Sequence, residues 1–374
     1  MNDLQAILDE QHAAGRIPGA VALVARGDHV EVAAVGDRSI GGPAMTQDSL
    51  FRIASITKPI TAAATMVLVE RGAFGLDDAV DAWLPELADP MVLKDPSGPL
   101  DDVVPAERAI TVRDLLMLRG GHGFTPDVMS PAGQALQERL HQGPPRPRLV
   151  PPPDEWMARL GEIPLVHQPG EGWSYNVGSD LLGVLLARAQ GTSLGEVLRE
   201  TILEPLGMRD TGFWTDQVDH LTSYYESGQD GFELVDPPDG QWASPPPFES
   251  GAGGLVSTAD DWLAFGRMLL EGGGSVLTPE SVQLMMTSHV EGEPDNPFLD
   301  GQGWGFGGGV DVRLEDPWNV VGRYGWVGGT GTAGYVIPST GTVVVWLSQV
   351  ELSGSQGMAA MAEVLTYAAT TAPR

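Results

Sequence analysis

Phe51-Arg52-Ile53-Ala54-Ser55-Ile56-Thr57-Lys58-Pro59 sets a serine and a lysine three residues apart, just ahead of an apolar segment that runs to Glu70. On a helix that spacing puts both side chains on one face, with Cβ atoms about 5–6 Å apart. A lysine amine so placed can take the proton of a serine hydroxyl, provided burial keeps it uncharged. Ile60, Ala64, Val67 and Leu68 recur at helical intervals, and Gly72 marks the stop. Pro59 fits only a first turn, so the helix is expected to begin close to Ser55 and to hold it near the positive helix end. Lys58 and Lys94 are the only lysines, and Met91 stands three residues before Lys94. Two lysines give one S-x-x-K by chance about one time in eight. On this stretch alone, a capping serine beside a solvated lysine stays open.

Outward from that helix, Ala20–Ala25 and Val30–Val35 read as strands joined by the hairpin signal Arg26-Gly27-Asp28. Ala333–Ile337 and Val343–Leu347 are the matching pair near the other end. Helical spacing is expected over Asp3–Ala13, Leu76–Leu87, Thr111–Leu118, Ala132–His141, Asp154–Leu160, Ser179–Gln190, Leu194–Ile202, Thr258–Glu271, Thr278–Thr287 and Gln356–Ala369. Gly143–Pro153 is too rich in proline for a regular element and reads as a surface loop or lid. The expected fold is α+β: an antiparallel sheet built from both ends of the chain and flanked by helices, with a mainly helical second lobe. Residues 1–75 and 180–374 would form the sheet lobe and 76–179 the helical one, with a crevice between them.

With 374 residues the chain can bury a large core. A net charge of −29 repels nucleic acid and anionic membranes, so neither is expected as a partner. No cysteine is present, which excludes disulfides, thiol catalysis and cysteine metal sites. The seven histidines lack ligand spacing, so no metal and no cofactor are expected. Met1-Asn2-Asp3-Leu4-Gln5 lacks the character of a signal peptide, and the longest apolar run is too short to span a bilayer. A cytoplasmic protein is expected. Its oligomeric state is undetermined.

Two further segments carry chemistry. In Pro169-Gly170-Glu171-Gly172-Trp173-Ser174-Tyr175-Asn176-Val177-Gly178, a loop-end tyrosine leads into a helix; it either relays protons beside a lysine or anchors the loop. In Tyr324-Gly325-Trp326-Val327-Gly328-Gly329-Thr330, glycines allow a ligand to approach the backbone, so an N–H there can receive an oxyanion. A packed strand edge would look the same. A G-x-S-x-G nucleophile elbow is absent.

Together, Ser55-Ile56-Thr57-Lys58, Tyr175-Asn176-Val177 and Trp326-Val327-Gly328 resemble, in order and spacing, the three motifs of serine β-lactamase and penicillin-binding-type enzymes. The likeness is closest to class C-like members and family VIII carboxylesterases. Thr111–Leu116, Glu204–Met208, Gly253–Asp261 and Leu277–Glu280 look like family landmarks, so the resemblance covers nearly the whole chain.

By that resemblance Ser55 is the acyl-accepting nucleophile, Lys58 its base or the group that tunes it, and Tyr175 the proton shuttle. The backbone N–H groups of Ser55 and Gly329 form the oxyanion hole, and Trp326, Gly328, Asn176 and Val177 lie at the substrate. The implied ligand is a small-molecule acyl substrate. Two departures bear on which one. Trp326 stands where β-lactamases and D,D-peptidases carry a lysine for the substrate carboxylate, as family VIII esterases commonly have it. Val177 replaces the motif asparagine, and Asn176, one residue early, is expected to point elsewhere. A lost charge-assisted contact costs about 1.5–3 kcal/mol. Both changes favour neutral acyl esters, with acyl transfer or amide hydrolysis as alternatives and a non-catalytic binding relative as the alternative of another class. Arg323 could return a positive charge near the third motif.

Overall fold

Two strand sequences without a single charged residue between their ends, Ala20–Ala25 and Val343–Leu347, pair with each other at the centre of the molecule. The computed structural model describes residues 3–229, 231–290, 296, 298, 299, 301–352 and 355–370. In chain order these form α1 (Asp3–Ala13), β1 (Gly19–Arg26), β2 (His29–Gly36), β3 (Phe51–Arg52), a 3-10 turn at Ala54–Thr57 and α2 (Lys58–Glu70). Then come β4 (Met91–Leu93), β5 (Val103–Pro105), α3 (Val112–Leu116), α4 (Pro131–Leu140), α5 (Pro153–Leu160) and α6 (Val177–Gln190). α7 (Leu194–Leu198), α8 (Glu204–Leu206), the hairpin β6 (Tyr224–Gly228) and β7 (Gly231–Asp236), β8 (Val256–Ser257), α9 (Ala259–Leu270) and α10 (Pro279–Met286) follow. The last part holds β9 (Gly303–Trp304), β10 (Gly309–Val310), β11 (Tyr324–Gly328), β12 (Thr332–Ile337), β13 (Thr342–Ser348) and α11 (Ser355–Thr370).

The main sheet is antiparallel throughout, in the order β2-β1-β13-β12-β11-β10-β9. Alternation divides its side chains between two cores. Val21, Leu23, Val343, Val345 and Leu347 join the large core with α2, α6 and α9. Ala20, Ala22, Val24, Val344 and Trp346 join a smaller one under α1 and α11, with Leu4, Leu8, Val364 and Leu365. Gly334 permits a close approach between layers: a Cβ there would stand 2.4 Å from the Trp262 ring of α9. Every residue of α2 from Lys58 to Leu68 is buried, which makes it a central helix with no solvent face at its start.

Several elements differ from the sequence expectation. Leu76–Leu87 is two 3-10 turns, Val80–Ala82 and Pro85–Leu87. The backbone before them is paired elsewhere, with Val80 N–H on Ile110 O and Arg113 N–H on Leu76 O, and Pro85 cannot donate. The helix expected over Leu194–Ile202 widens to a π-turn at Arg199–Leu203, where Glu204 N–H reaches back to Arg199 O ahead of Pro205. Thr111 caps α3 in a reciprocal capping box with Asp114. Among the described residues no helix is long and apolar enough to cross a membrane.

Candidate active site

Ser55 lies in the 3-10 turn, and α2 proper starts at Lys58. Side chains at i and i+3 eclipse in a 3-10 turn, so the lysine stands directly over the serine. The turn opens on Ala54 with φ +43°, a left-handed conformation costly for any residue with a Cβ. What holds it is the β11–β12 hairpin. Thr332 Oγ1 donates to Ile53 O at 2.8 Å and Thr330 Oγ1 donates to Arg52 O at 2.5 Å. Gly328 makes this approach possible, since a Cβ there would stand 2.5 Å from Ile53 O. The same two hydroxyls therefore fix Gly329 relative to Ser55, and both residues line one cavity of about 560 Å3.

Lys58 Nζ has three partners: Asn176 Oδ1 at 2.7 Å, Ala252 O at 2.8 Å and Ser55 Oγ at 2.9 Å. Two are oxygens that only accept. A neutral amine has two N–H bonds and one electron pair, so both hydrogens are taken and the pair is left for the Ser55 hydroxyl. Burial pushes the Lys58 pKa down, against the upward pull of the Tyr175 hydroxyl and the Asp180 carboxylate. Asp180, at the start of α6, is itself buried. Burial pushes its pKa up, opposed by donors from Ser250, Gln142 and Ala252 N–H and by Lys58.

Tyr175 reaches the site from a loop bonded on both sides to Phe124: Phe124 N–H donates to Tyr175 O and Tyr175 N–H to Phe124 O. Its ring lies 4.5 Å from Lys58 Nζ and is stacked against Trp173 and Phe298. Its hydroxyl accepts from Trp326 Nε1 at 2.8 Å. Trp326 is braced edge-on by Trp304. The third motif thus touches the second through an indole N–H rather than an ammonium.

The structure brings Ser55, Lys58, Tyr175, Asn176, Trp326 and Gly329 together around the cavity. Two residues expected at the substrate are elsewhere: Val177 is fully buried in the core, and Gly328 packs beneath the hairpin against Ile53 and Thr332. Asn176, placed at the substrate by the motif although its shifted position suggested that it points elsewhere, lines the cavity and reaches Lys58. Its φ of +84° turns the amide from a helix-capping position onto Lys58, and α6 carries no side-chain cap. Arg323 supplies no charge to the site, because it is buried, bonded to Asp311 at 2.8 Å and stacked on Tyr335. Gln142, Asp180 and Ala252 O went unread in the sequence. An aspartate in the otherwise apolar stretch Val177–Leu186 was the available signal for Asp180; nothing marked Gln142.

The cavity wall is mainly apolar, with Phe124, Val128, Val150, Phe248 and Leu352 prominent. Pro144, Pro145 and Pro147 of the proline-rich segment form part of it. Glu351 adds a carboxylate, held by the Tyr224 hydroxyl at 2.9 Å. Among the described residues no group of three or more histidine, aspartate or glutamate side chains is placed to hold a metal ion.

The Beta-lactamase family profile matches residues 4–368. Protein Rv1367c of Mycobacterium tuberculosis is 39% identical over 92% of this chain and 89% of its own length. Esterase EstB of Burkholderia gladioli is 32% identical over 95% of this chain and 91% of its own. Among solved structures, EstCE1, described as a hydrolase with promiscuous acyltransferase activity, superposes with a TM-score of 0.78 at 26% identity, covering 97% of both chains.

Proposed function

The chain belongs to the β-lactamase family, and from that premise we propose that it is a serine esterase that forms an acyl-enzyme on Ser55 with small, neutral acyl esters. The observation that carries the reading is the 2.9 Å contact of the buried Lys58 Nζ with Ser55 Oγ, beside Asn176 Oδ1 and Ala252 O; once the amine is neutral those two oxygens take both its hydrogens and its electron pair falls to Ser55. In acylation Ser55 Oγ attacks the ester carbonyl carbon as its proton passes to Lys58 Nζ. The carbonyl electron pair moves onto oxygen, where the N–H groups of Ser55 and Gly329 receive it. On collapse the leaving alkoxide takes a proton from the Tyr175 hydroxyl, which Lys58 replaces. Water then attacks the acyl-Ser55 carbon; its proton passes to Tyr175 as the Tyr175 proton passes to Lys58, and the departing Ser55 oxygen takes that proton back from Lys58.

Two features support neutral substrates. Trp326 carries no charge and Arg323 is committed to Asp311, while the Glu351 carboxylate and the Arg146 guanidinium both line the cavity and leave it no charge of a single sign. The test is direct. A fluorophosphonate adds its mass to Ser55, and Ser55→Ala abolishes hydrolysis of p-nitrophenyl butyrate. Undiminished turnover by that variant overturns the reading. Acyl transfer is the second reading, favoured by a cavity with room for an acceptor beside a small acyl group. With competing alcohols or amines present, ester or amide products in excess over free acid identify it.

A further inference from the structure

Lys58 belongs to a closed ring of hydrogen bonds that runs beyond the residues used above. From Lys58 it passes to Asn176 Oδ1. Asn176 Nδ2 donates to Gln142 Oε1 at 2.6 Å, and Gln142 Nε2 donates to Asp180 Oδ2 at 2.8 Å. Asp180 Oδ1 accepts from Ala252 N–H at 3.1 Å and from the Ser250 hydroxyl at 2.6 Å. Ala252 O closes the ring on Lys58. Gln142 and Asp180 are both buried at the cavity floor, and each has its polar atoms engaged within the ring.

The ring has a direction, and its two backbone groups cannot reverse. Ala252 N–H only donates, so the Asp180 oxygen facing it must accept. The other carboxylate oxygen also accepts, which obliges Gln142 to present its NH2 to Asp180 and its carbonyl to Asn176. Asn176 must then present its NH2 to Gln142 and its oxygen to Lys58. If Asp180 instead presented a donor to Gln142, both amides would turn over. Asn176 Nδ2–H would then point at Lys58 and occupy the electron pair that Ser55 requires.

We propose that the Asp180 carboxylate, acting through Gln142, fixes which end of the Asn176 amide faces Lys58 and so keeps the Lys58 electron pair free for Ser55. Asp180 and Gln142 are positioning residues in this arrangement. Gln142 also opens the proline-rich segment whose Pro144 and Pro147 line the cavity, so the wall that receives substrate is joined to the base. The proposal rests on the esterase reading of Ser55 and Lys58.

Asp180→Asn tests it. The asparagine keeps an oxygen for Ala252 N–H and the same number of hydrogen bonds, but presents NH2 to Gln142 and reverses both amides. Gln142→Leu breaks the ring without imposing a direction. With p-nitrophenyl butyrate, Asp180→Asn is expected to lower kcat about a hundredfold and Gln142→Leu about tenfold, both with KM within about twofold of the parent. The decisive variant carries both changes. Released from the reversed Gln142, Asn176 can turn back, so the double variant recovers to the level of Gln142→Leu alone, about tenfold above Asp180→Asn. A purely structural role makes the double variant worse than either single one. The proposal is overturned by parental kcat in Asp180→Asn, or by a double variant no better than Asp180→Asn when all three retain the parent's circular dichroism. Ser55→Ala run in parallel separates the two readings. Full turnover there removes the esterase reading, whereas an inactive Ser55→Ala beside an unrecovered double variant removes the positioning role of Asp180 and Gln142 alone.

Discussion

His122→Gln should make the protein more resistant to acid, by an amount the structure sets. His122 is buried in the loop that carries Phe124, the backbone partner of Tyr175. Its Nε2 lies 2.8 Å from Ile163 O, which only accepts, so Nε2 carries the proton. Nδ1 is buried without a hydrogen-bond partner, and a second proton there would have no acceptor. Burial accordingly pushes the pKa from 6.5 down to about 4, with a small further push from His167. Between those values the unfolded chain binds more protons than the folded one, so stability rises with pH through that window and falls away as pH drops from 6.5 toward 4. At pH 5 the loss through this one group is about 2 kcal/mol relative to pH 7.5. Glutamine places its NH2 where Nε2–H stands and does not titrate. Urea unfolding of the parent and His122→Gln at both pH values provides the assay. The stability difference should move in favour of the variant by about 2 kcal/mol on acidification. Curves that stay parallel would refute the reasoning.

Other perturbations read the site itself. Trp326→Phe keeps most of the ring but removes the N–H that Tyr175 accepts; steady-state kinetics should show kcat lower by about three- to tenfold. Gly328→Ala would put a methyl within 2.5 Å of Ile53 O, displacing the hairpin from the Ser55 turn, and fluorophosphonate labelling of Ser55 should slow by at least about tenfold. Thr332→Val leaves Ile53 O with only the 3.3 Å bond from Ile56 N–H and should cost about 0.5–1.5 kcal/mol in urea unfolding. Asp311→Asn strands the buried Arg323 guanidinium and should cost about 3–5 kcal/mol by the same measurement, with KM for neutral esters unchanged.

Four strands of the sheet, β1, β2, β12 and β13, were legible because they are apolar runs joined by glycine turns, whereas the short or glycine-rich β9, β10 and β11 were not. Helix positions were legible because caps such as Thr111, Thr258 and Thr278 are local signals. Leu76–Leu87 misled because its apolar spacing is helical while its backbone hydrogen bonds are made with Ile110–Arg113, a long-range fact no local pattern carries. At the site, Ser55 and Lys58 could be paired from spacing, since three residues in one turn determine their separation. Asn176 could not be placed, because its side-chain direction follows from a single positive φ that only the surrounding packing selects. Gln142 belongs to an irregular segment, where residue order says little about direction in space. Val177 illustrates the reverse error: its place in a motif suggested the substrate, whereas its place on α6 puts it in the core.

The pairing of β1 with β13, with Ala20 opposite Ser348, also governs when the enzyme can exist during synthesis. A nascent chain makes β1 and β2 early, but the strand that flanks β1 on its other side arrives last. So does the β11–β12 hairpin that clamps the Ser55 turn. Until then a strand edge that is apolar from Ala20 to Ala25 stands unpaired on the ribosome, the situation in which slow, long-range β topologies associate wrongly. Chains that stop before Thr342 should therefore be both inert and prone to aggregate. The ester-cleaving centre is among the last things this fold assembles, and chaperone occupancy during translation should be heaviest while β1 awaits its distant neighbour.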